Sequence, residues 1–195
     1  MILEKYTSDS FLSFKLGDET FAANVEKVLN ILELSKITKV PKAPFYMKGV
    51  INLRGSVLPL VDTRLKFEMG ETEFTNNTCI LVLDIHMDNE LVRVGALVDS
   101  VQEVIQLKNE DVSPPPSIGN KYQSEFIEGM ARVNDEFVML LDMDLIFTLD
   151  ELSALKEITK MKNTMETDEE HKKDNSSKTT AKSTKSKKST TKKSV

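Results

Sequence analysis

Gly49-Val50-Ile51-Asn52-Leu53-Arg54-Gly55-Ser56-Val57-Leu58-Pro59-Leu60-Val61-Asp62-Thr63-Arg64-Leu65-Lys66-Phe67 is the stretch whose reading decides the fold. Two runs rich in β-branched and aliphatic residues, Val50 to Leu53 and Val57 to Val61, flank Arg54-Gly55-Ser56, where Gly55 can take the positive φ of a tight turn. This is the pattern of a hairpin. Pro59 has no N–H to give a ladder, so the second strand is expected to lie at a sheet edge or to bend there.

The pattern returns without a gap 80 residues later, where Gly49, Leu60, Asp62, Leu65 and Phe67 recur as Gly129, Leu140, Asp142, Leu145 and Phe147. A weaker echo lies upstream: Phe11 to Leu16 resembles Ile80 to Ile85, and Val25, Val28, Ile31 resembles Val98, Val101, Val104, at offsets of 69 and 73. Loops differ in length while the order of elements is kept, so the chain reads as two structurally similar halves. Their apolar residues agree because both must bury a core. Their polar residues do not: Asn52, Arg54, Gly55, Pro59 and Arg64 face Arg132, Asn134, Asp135, Met139 and Asp144. Folding alone would favour agreement there, so the tip of the first hairpin is the candidate specialised surface, against the plainer reading of drift at solvated turns.

Working outward, Phe11 to Leu16 alternates, Gly17-Asp18 turns the chain and Thr20 to Ala23 returns. Asn24 can cap a short helical turn, with Val25, Val28 and Ile31 near one face of it and Glu26, Lys27 and Asn30 elsewhere. Pro41 and Pro44 mark a surface connection into Phe45 and Tyr46, which are expected to seal a barrel entrance. In the second half, Cys79 to Ile85 and Leu91 to Val98 form a hairpin around Asp88-Asn89, and Phe137 to Leu141 pairs with the strand ending at Val133. Thr148-Leu149-Asp150-Glu151 fits a capping box, followed by Leu149, Leu152, Leu155 and Ile158 as a stripe that should pack on a barrel. Frequent short strands with only brief helical pieces argue for small β-barrels rather than α/β layers.

With 195 residues, 39% of them hydrophobic, and no apolar run longer than five, the chain can form one soluble domain or two small ones with no membrane span. Glu4, Lys5 and Asp9 interrupt the first ten residues, so no secretory leader is expected. The single Cys79 lies in an apolar run and reads as a buried thiol, consistent with a reducing cytoplasm.

Charge is uneven. Residues 1–155 hold 14 Lys and Arg against 25 Asp and Glu, a net of −11, while residues 156–195 hold 12 Lys against 6 acids, a net of +6. From Asn163 apolar residues almost vanish, and this tail is expected to be disordered. It raises a second function class, a small β-barrel protein binding nucleic acid or another polyanion through its basic tail. The tail has no aromatic residue for stacking, so such binding would ignore sequence and collapse with salt.

Catalysis finds no footing. His86 sits beside Met87-Asp88-Asn89 and His171 lies in the tail, without a Ser, Cys or metal-ligand constellation. There is no Gly-rich phosphate loop, and the repeated Asp62 and Asp142 read as turn caps. No cofactor and no metal are expected.

Gly49-Val50-x-Asn52-Leu53-Arg54-Gly55 followed by Pro59, Asp62 and Arg64 resembles the signature of the CheW family of bacterial chemotaxis coupling proteins. The same domain ends the chemotaxis histidine kinase. The likeness runs from about residue 8 to 158 and takes in Val98-Asp99-x-Val101-x-x-Val104, Pro114-Pro115-Pro116 and Leu141-Asp142-x-x-x-Ile146. It implies an all-β fold of two intertwined, similar five-stranded SH3-like β-barrels with short helical pieces, a C-terminal helix and a disordered tail. The expected boundaries are a CheW-like domain over 8–162, with barrels over roughly 8–75 and 76–148 and a closing helix over 149–162, then the tail over 163–195.

The resemblance also implies a non-enzymatic, cytoplasmic adaptor associated with membrane receptor arrays. Its partners would be chemoreceptor helical hairpins and the regulatory domain of the kinase CheA, with the membrane met only through receptors. On that basis Val28, Ile31 and Val98 form the floor of a receptor groove, Gly49 and Gly55 allow close backbone approach, and Asn52 and Arg54 hydrogen-bond the docked helix. In the family this arginine pairs with an acid of the short helical segment. Here Asn30 stands at that place, leaving Glu26, Glu33 or a partner for Arg54.

Overall fold

The computed structural model describes residues 9–87, 90–115, 126–148 and 150–160. The first half contributes strands β1 (Asp9–Leu16), β2 (Glu19–Asn24), β3 (Val28–Glu33), β4 (Met47–Leu53) and β5 (Ser56–Asp62), then the short helix α1 (Thr63–Lys66). The second half contributes β6 (Cys79–Met87), β7 (Glu90–Val98), β8 (Ser100–Leu107), β9 (Val112–Ser113), β10 (Ile127–Val133) and β11 (Glu136–Leu141). Helix α2 follows over residues 150–160. The expected turn at Asp88-Asn89, Pro116, Leu149 and the tail over 163–195 lie outside the described residues.

The strands form two mixed sheets, ordered β8-β1-β2-β11-β10-β9 and β3-β6-β7-β5-β4. Each repeat is shared between both sheets. β1 and β2 join the late strands β8 to β11, while β6 and β7 join the early strands β3 to β5. A cut near residue 75 therefore separates the repeats and not the sheets. The junctions are two parallel ladders in equivalent places, Leu60 beside Gly95 and Leu140 beside Ala22.

Register carries the repeat in detail. Val28 pairs with Leu83 and Ile31 with Leu81 across a bulge, just as Val101 pairs with Phe14 and Val104 with Leu12. Both long hairpins bulge at their glycines, between Met47 and Gly49 and between Ile127 and Gly129. A Cβ on Gly49 would meet the Thr38 carbonyl oxygen at 2.3 Å, and one on Gly129 would meet Val112 Cγ1 at 2.6 Å. A neighbouring segment thus lies against each bulge where only a hydrogen fits.

Alternation along the strands sends one side chain set inward and the other toward the facing sheet. Ile51, Leu58, Leu60, Ile80, Val82 and Leu97 fill one sheet's own interior. Phe11, Ala22, Ile105, Leu107, Val138 and Leu140 fill the other's. The opposite faces meet in the largest core, where Leu81, Leu83, Val94 and Val98 pack with Leu12, Phe14, Leu16 and Leu141. Helix α2 closes this shared core with Leu152 and Leu155, both buried. Its capping box forms: Thr148 N–H donates to Glu151 Oε2 at 2.9 Å, and Glu151 N–H to Thr148 Oγ1 at 3.3 Å.

Three local expectations change. The helical turn at Asn24 exists, since Asn24 Oδ1 accepts from Glu26 N–H, but it spans only Val25–Lys27. From Val28 the chain is strand, because pairing with β6 outweighs a three-residue apolar spacing over so short a piece. β5 is not an edge strand. It lies between β7 and β4, and Pro59 is tolerated because the ladder to β7 starts one residue later, at Leu60. Finally, Tyr46 is buried as expected of a seal while Phe45 is exposed.

Candidate functional site

Strand β3 ends its sheet, and this edge exposes two large apolar side chains: Leu29 is 50% exposed and Ile31 44% exposed. Two concavities meet here. One, of about 340 Å³, is lined by Leu12, Val25, Val28 and Ile31 together with Leu29 and Asn30. The other, of about 640 Å³, shares Leu29 and Asn30 and runs past Leu53, Arg54 and Leu91 to Lys156 on α2.

Arg54 sits at the tip of the β4–β5 hairpin. Leu53 pairs with Ser56, so the connection is a two-residue turn with φ of 52° at Arg54 and 85° at Gly55, the primed type that suits strand twist. Gly55 holds that angle without strain. An arginine does so at a cost of about 1 kcal/mol, as Lys42 and Glu68 do at their own positive φ angles. The turn is further fixed by Asn52, whose Oδ1 accepts from Gly55 N–H at 2.8 Å. Among the described residues Arg54 forms no ion pair, so neither Glu26 nor Glu33 replaces the missing acid, and its guanidinium faces the larger cleft.

The remaining expected site residues are placed differently. Val28 is partly buried and packs on the shared core beside the smaller concavity. Val98 is fully buried in that core, presents no surface and lines neither concavity. Gly49 is buried too, and its close approach is to Thr38 within the chain. The sequence pattern singled out neither Leu29 nor Lys156, and Leu91 only as the start of a strand. Leu29 falls off the Val25-Val28-Ile31 spacing, and only the strand conformation brings it to the surface beside Ile31.

Charge pairs lock the frame around this edge. Lys27, just before β3, donates to Asp144 Oδ2 at 2.5 Å and lies 2.8 Å from His86 Nδ1, while His86 N–H donates to Asp144 Oδ1 at 2.9 Å. Burial pushes the Asp144 carboxyl up, but the bonds from Lys27 and His86 outweigh it and hold the group below its ordinary range. This cluster ties the entry of β3 to the end of β6 and to the turn after β11. At the first hairpin's base, fully buried Asp62 accepts from Leu65 N–H, Thr72 N–H and Thr72 Oγ1, with Lys48 Nζ at 3.3 Å. These partners make it a cap and a loop anchor. No cluster of three or more potential metal ligands occurs among the described residues.

Comparison with known proteins bears on the same span. A family model described as a CheW-like domain matches residues 10–151. A chemotaxis protein CheW of Klebsiella aerogenes is 29% identical over 77% of this chain and 88% of its own length. One of Rhizobium meliloti is 32% identical over 73% and 90%. The crystal structure of a scaffolding protein from Thermoanaerobacter tengcongensis, TtCheW, superposes with a TM-score of 0.64 at 26% identity, covering 74% of this chain and 91% of that one.

Proposed function

Because this chain belongs to the CheW-like domain family, we propose that it is a chemotaxis coupling scaffold joining the helical tips of chemoreceptors to the histidine kinase CheA. Its action is non-catalytic: it holds two partners in fixed geometry. The family match, relatives named as chemotaxis proteins and a solved relative named as a scaffolding protein support this reading. Its place would be the cytoplasmic face of receptor arrays, reached through receptors. Among the described residues no helix is long and apolar enough to cross a membrane.

The observation that carries the reading is the β3 edge, with exposed Leu29 and Ile31 beside an Arg54 that has no ion-pair partner among the described residues. An amphipathic receptor helix would lay its apolar stripe on Val28 and Ile31, while Arg54 binds a carboxylate or a helix's terminal carbonyls. Asn52 and Gly55 contribute by shaping the turn that presents Arg54, and Gly49 by seating the hairpin. The kinase's regulatory domain would bind elsewhere on the sheet ends.

Co-sedimentation with receptor-bearing membranes tests the surface. Ile31→Asp, at an exposed position that leaves folding intact, is expected to reduce the bound fraction as a tenfold or greater loss of affinity would. Native-like retention of a folded Ile31→Asp chain would overturn the assignment.

A further inference from the structure

The larger concavity of the β3 edge, about 640 Å³, carries charge of one sign. Arg54, Arg93, Lys156 and Lys160 lie on its wall and no acid does, although residues 1–155 as a whole are strongly acidic. Arg93 is answered by Asp84 and Lys156 by Glu90, while Arg54 forms no ion pair among the described residues. The same recess leaves Leu91 59% exposed and Leu29 50% exposed. An apolar floor with a cationic rim suits an acidic segment that also brings an apolar side chain.

The chain supplies such a segment at this spot. Helix α2 contributes Lys156, Thr159 and Lys160 to the cleft, and residue 160 is the last described, so the continuing chain departs from the cleft's own wall. There the sequence changes sign. Residues 161–171 hold Glu166, Asp168, Glu169 and Glu170 against Lys162, with Met161 and Met165 as apolar side chains. The lysine-rich run begins only at Lys172 and has the wrong sign for this rim. Glu166 follows Lys160 at a distance along the chain that spans up to about 20 Å when extended, beyond the width of a recess of this size.

We propose that residues 165–170 fold back over this cleft, Met165 against Leu53 and Leu91 and a carboxylate on Arg54, as an autoinhibitory strap that must leave before a partner's helix can reach Arg54. An unbranched methionine adapts to an irregular apolar recess, and a carboxylate fits the guanidinium fork. The chain's own segment is favoured over a foreign peptide because it is tethered at the cleft, where a short flexible link gives an effective concentration of about millimolar. Ordering the segment costs chain entropy and exposed ion pairs contribute little, so the contact is weak. With an intrinsic Kd also of about millimolar, the strap is closed roughly half the time, which makes it displaceable. The contact stands on the cleft alone, and its inhibitory consequence rests on the receptor-docking reading above.

Amide NMR spectra test the contact in three proteins: the full chain, a chain ending at Lys162, and the full chain with Glu166→Gln, Asp168→Asn, Glu169→Gln and Glu170→Gln. The full chain should differ from the other two at Leu53, Arg54, Gly55 and Leu91, and the difference should fade at high salt. Cleft resonances that superpose in all three overturn the proposal, as does a neutralised chain that resembles the native one. Co-sedimentation with receptor-bearing membranes tests the consequence, and the chain ending at Lys162 should bind about twofold more tightly than the full chain. Equal affinity overturns the inhibitory role. Spectra that differ while neither chain sediments would fault the receptor reading and uphold the contact.

Discussion

The hairpins β4–β5 and β10–β11 share a glycine bulge, a two-residue turn with both φ values positive and an acid at the closing position, yet they end in different chemistry. Asn134-Asp135 suits its turn, Asn being the commoner occupant of the left-handed region. Arg54-Gly55 places a long cation in that same strained position. Where the copies agree, packing dictates the residue. Where the first copy departs toward a residue the turn disfavours, the turn itself does not dictate the choice.

The largest expected effect breaks the shared part unevenly. Gly49→Ala drives a Cβ into the Thr38 carbonyl at a φ of 146°, and should cost about 4 kcal/mol. Gly129→Ala meets a valine methyl, with the Ser113 carbonyl oxygen farther off at 3.1 Å, a milder clash than one with backbone, and should cost about 2 kcal/mol. Urea denaturation midpoints of the two variants give the order, and equal losses would show that the bulges are not stressed as described.

The closing acids separate next. Asp62→Asn removes a buried carboxylate with three hydrogen bonds and should cost about 3 kcal/mol. Asp142, whose Oδ1 accepts from Asp144 N–H, should cost about 1 kcal/mol as Asn. Thermal unfolding of both checks this.

A third contrast is electrostatic. Lys66 at the end of the first copy bonds Glu151 on α2 at 2.5 Å. Burial pushes the Glu151 carboxyl up, but Lys66 and the Thr148 N–H prevail and hold it below its ordinary range. A carboxylate lowered in the folded state stabilises above its unfolded pKa, and that contribution fades as pH falls through the folded value. Lys66→Met should therefore lose about 1 kcal/mol near neutrality and much less in acid, so its stability curve converges on the native one as pH drops. Parallel curves would contradict the coupling.

The smallest effect is the most telling. Arg54→Asn should gain a few tenths to about 1 kcal/mol by relieving the left-handed arginine, and Asn134→Arg should lose as much. Denaturant titration resolves the two signs.

Much of this was legible in the chain. The 80-residue repeat with its fixed glycines gave the hairpins, the offsets of 69 and 73 correctly aligned β1 with β6 and β3 with β8, and Thr148 to Glu151 marked the helix start. The sharing of each repeat between both sheets came only from the resemblance, which implies intertwined barrels, and not from the strand patterns, because strand partnership depends on parallel ladders between residues far apart, and the periodicity of either strand is the same with any partner. Val98 and Gly49 show the same limit at the site. An apolar residue or a glycine in a motif signals close packing, and only the fold decides whether the neighbour is another molecule or, as here, the chain itself. Leu29 was hidden by a helical spacing that three residues of turn could not sustain.

On the proposed function, Arg54 is kept at the turn for coupling and not for folding. Kinase phosphorylation flux, reconstituted with receptor-bearing membranes, should rise with the native chain and with Asn134→Arg, and should fail to rise with Arg54→Asn although that variant is at least as stable. An Arg54→Asn chain that activates the kinase as fully as the native one would show that Arg54 has no part in coupling.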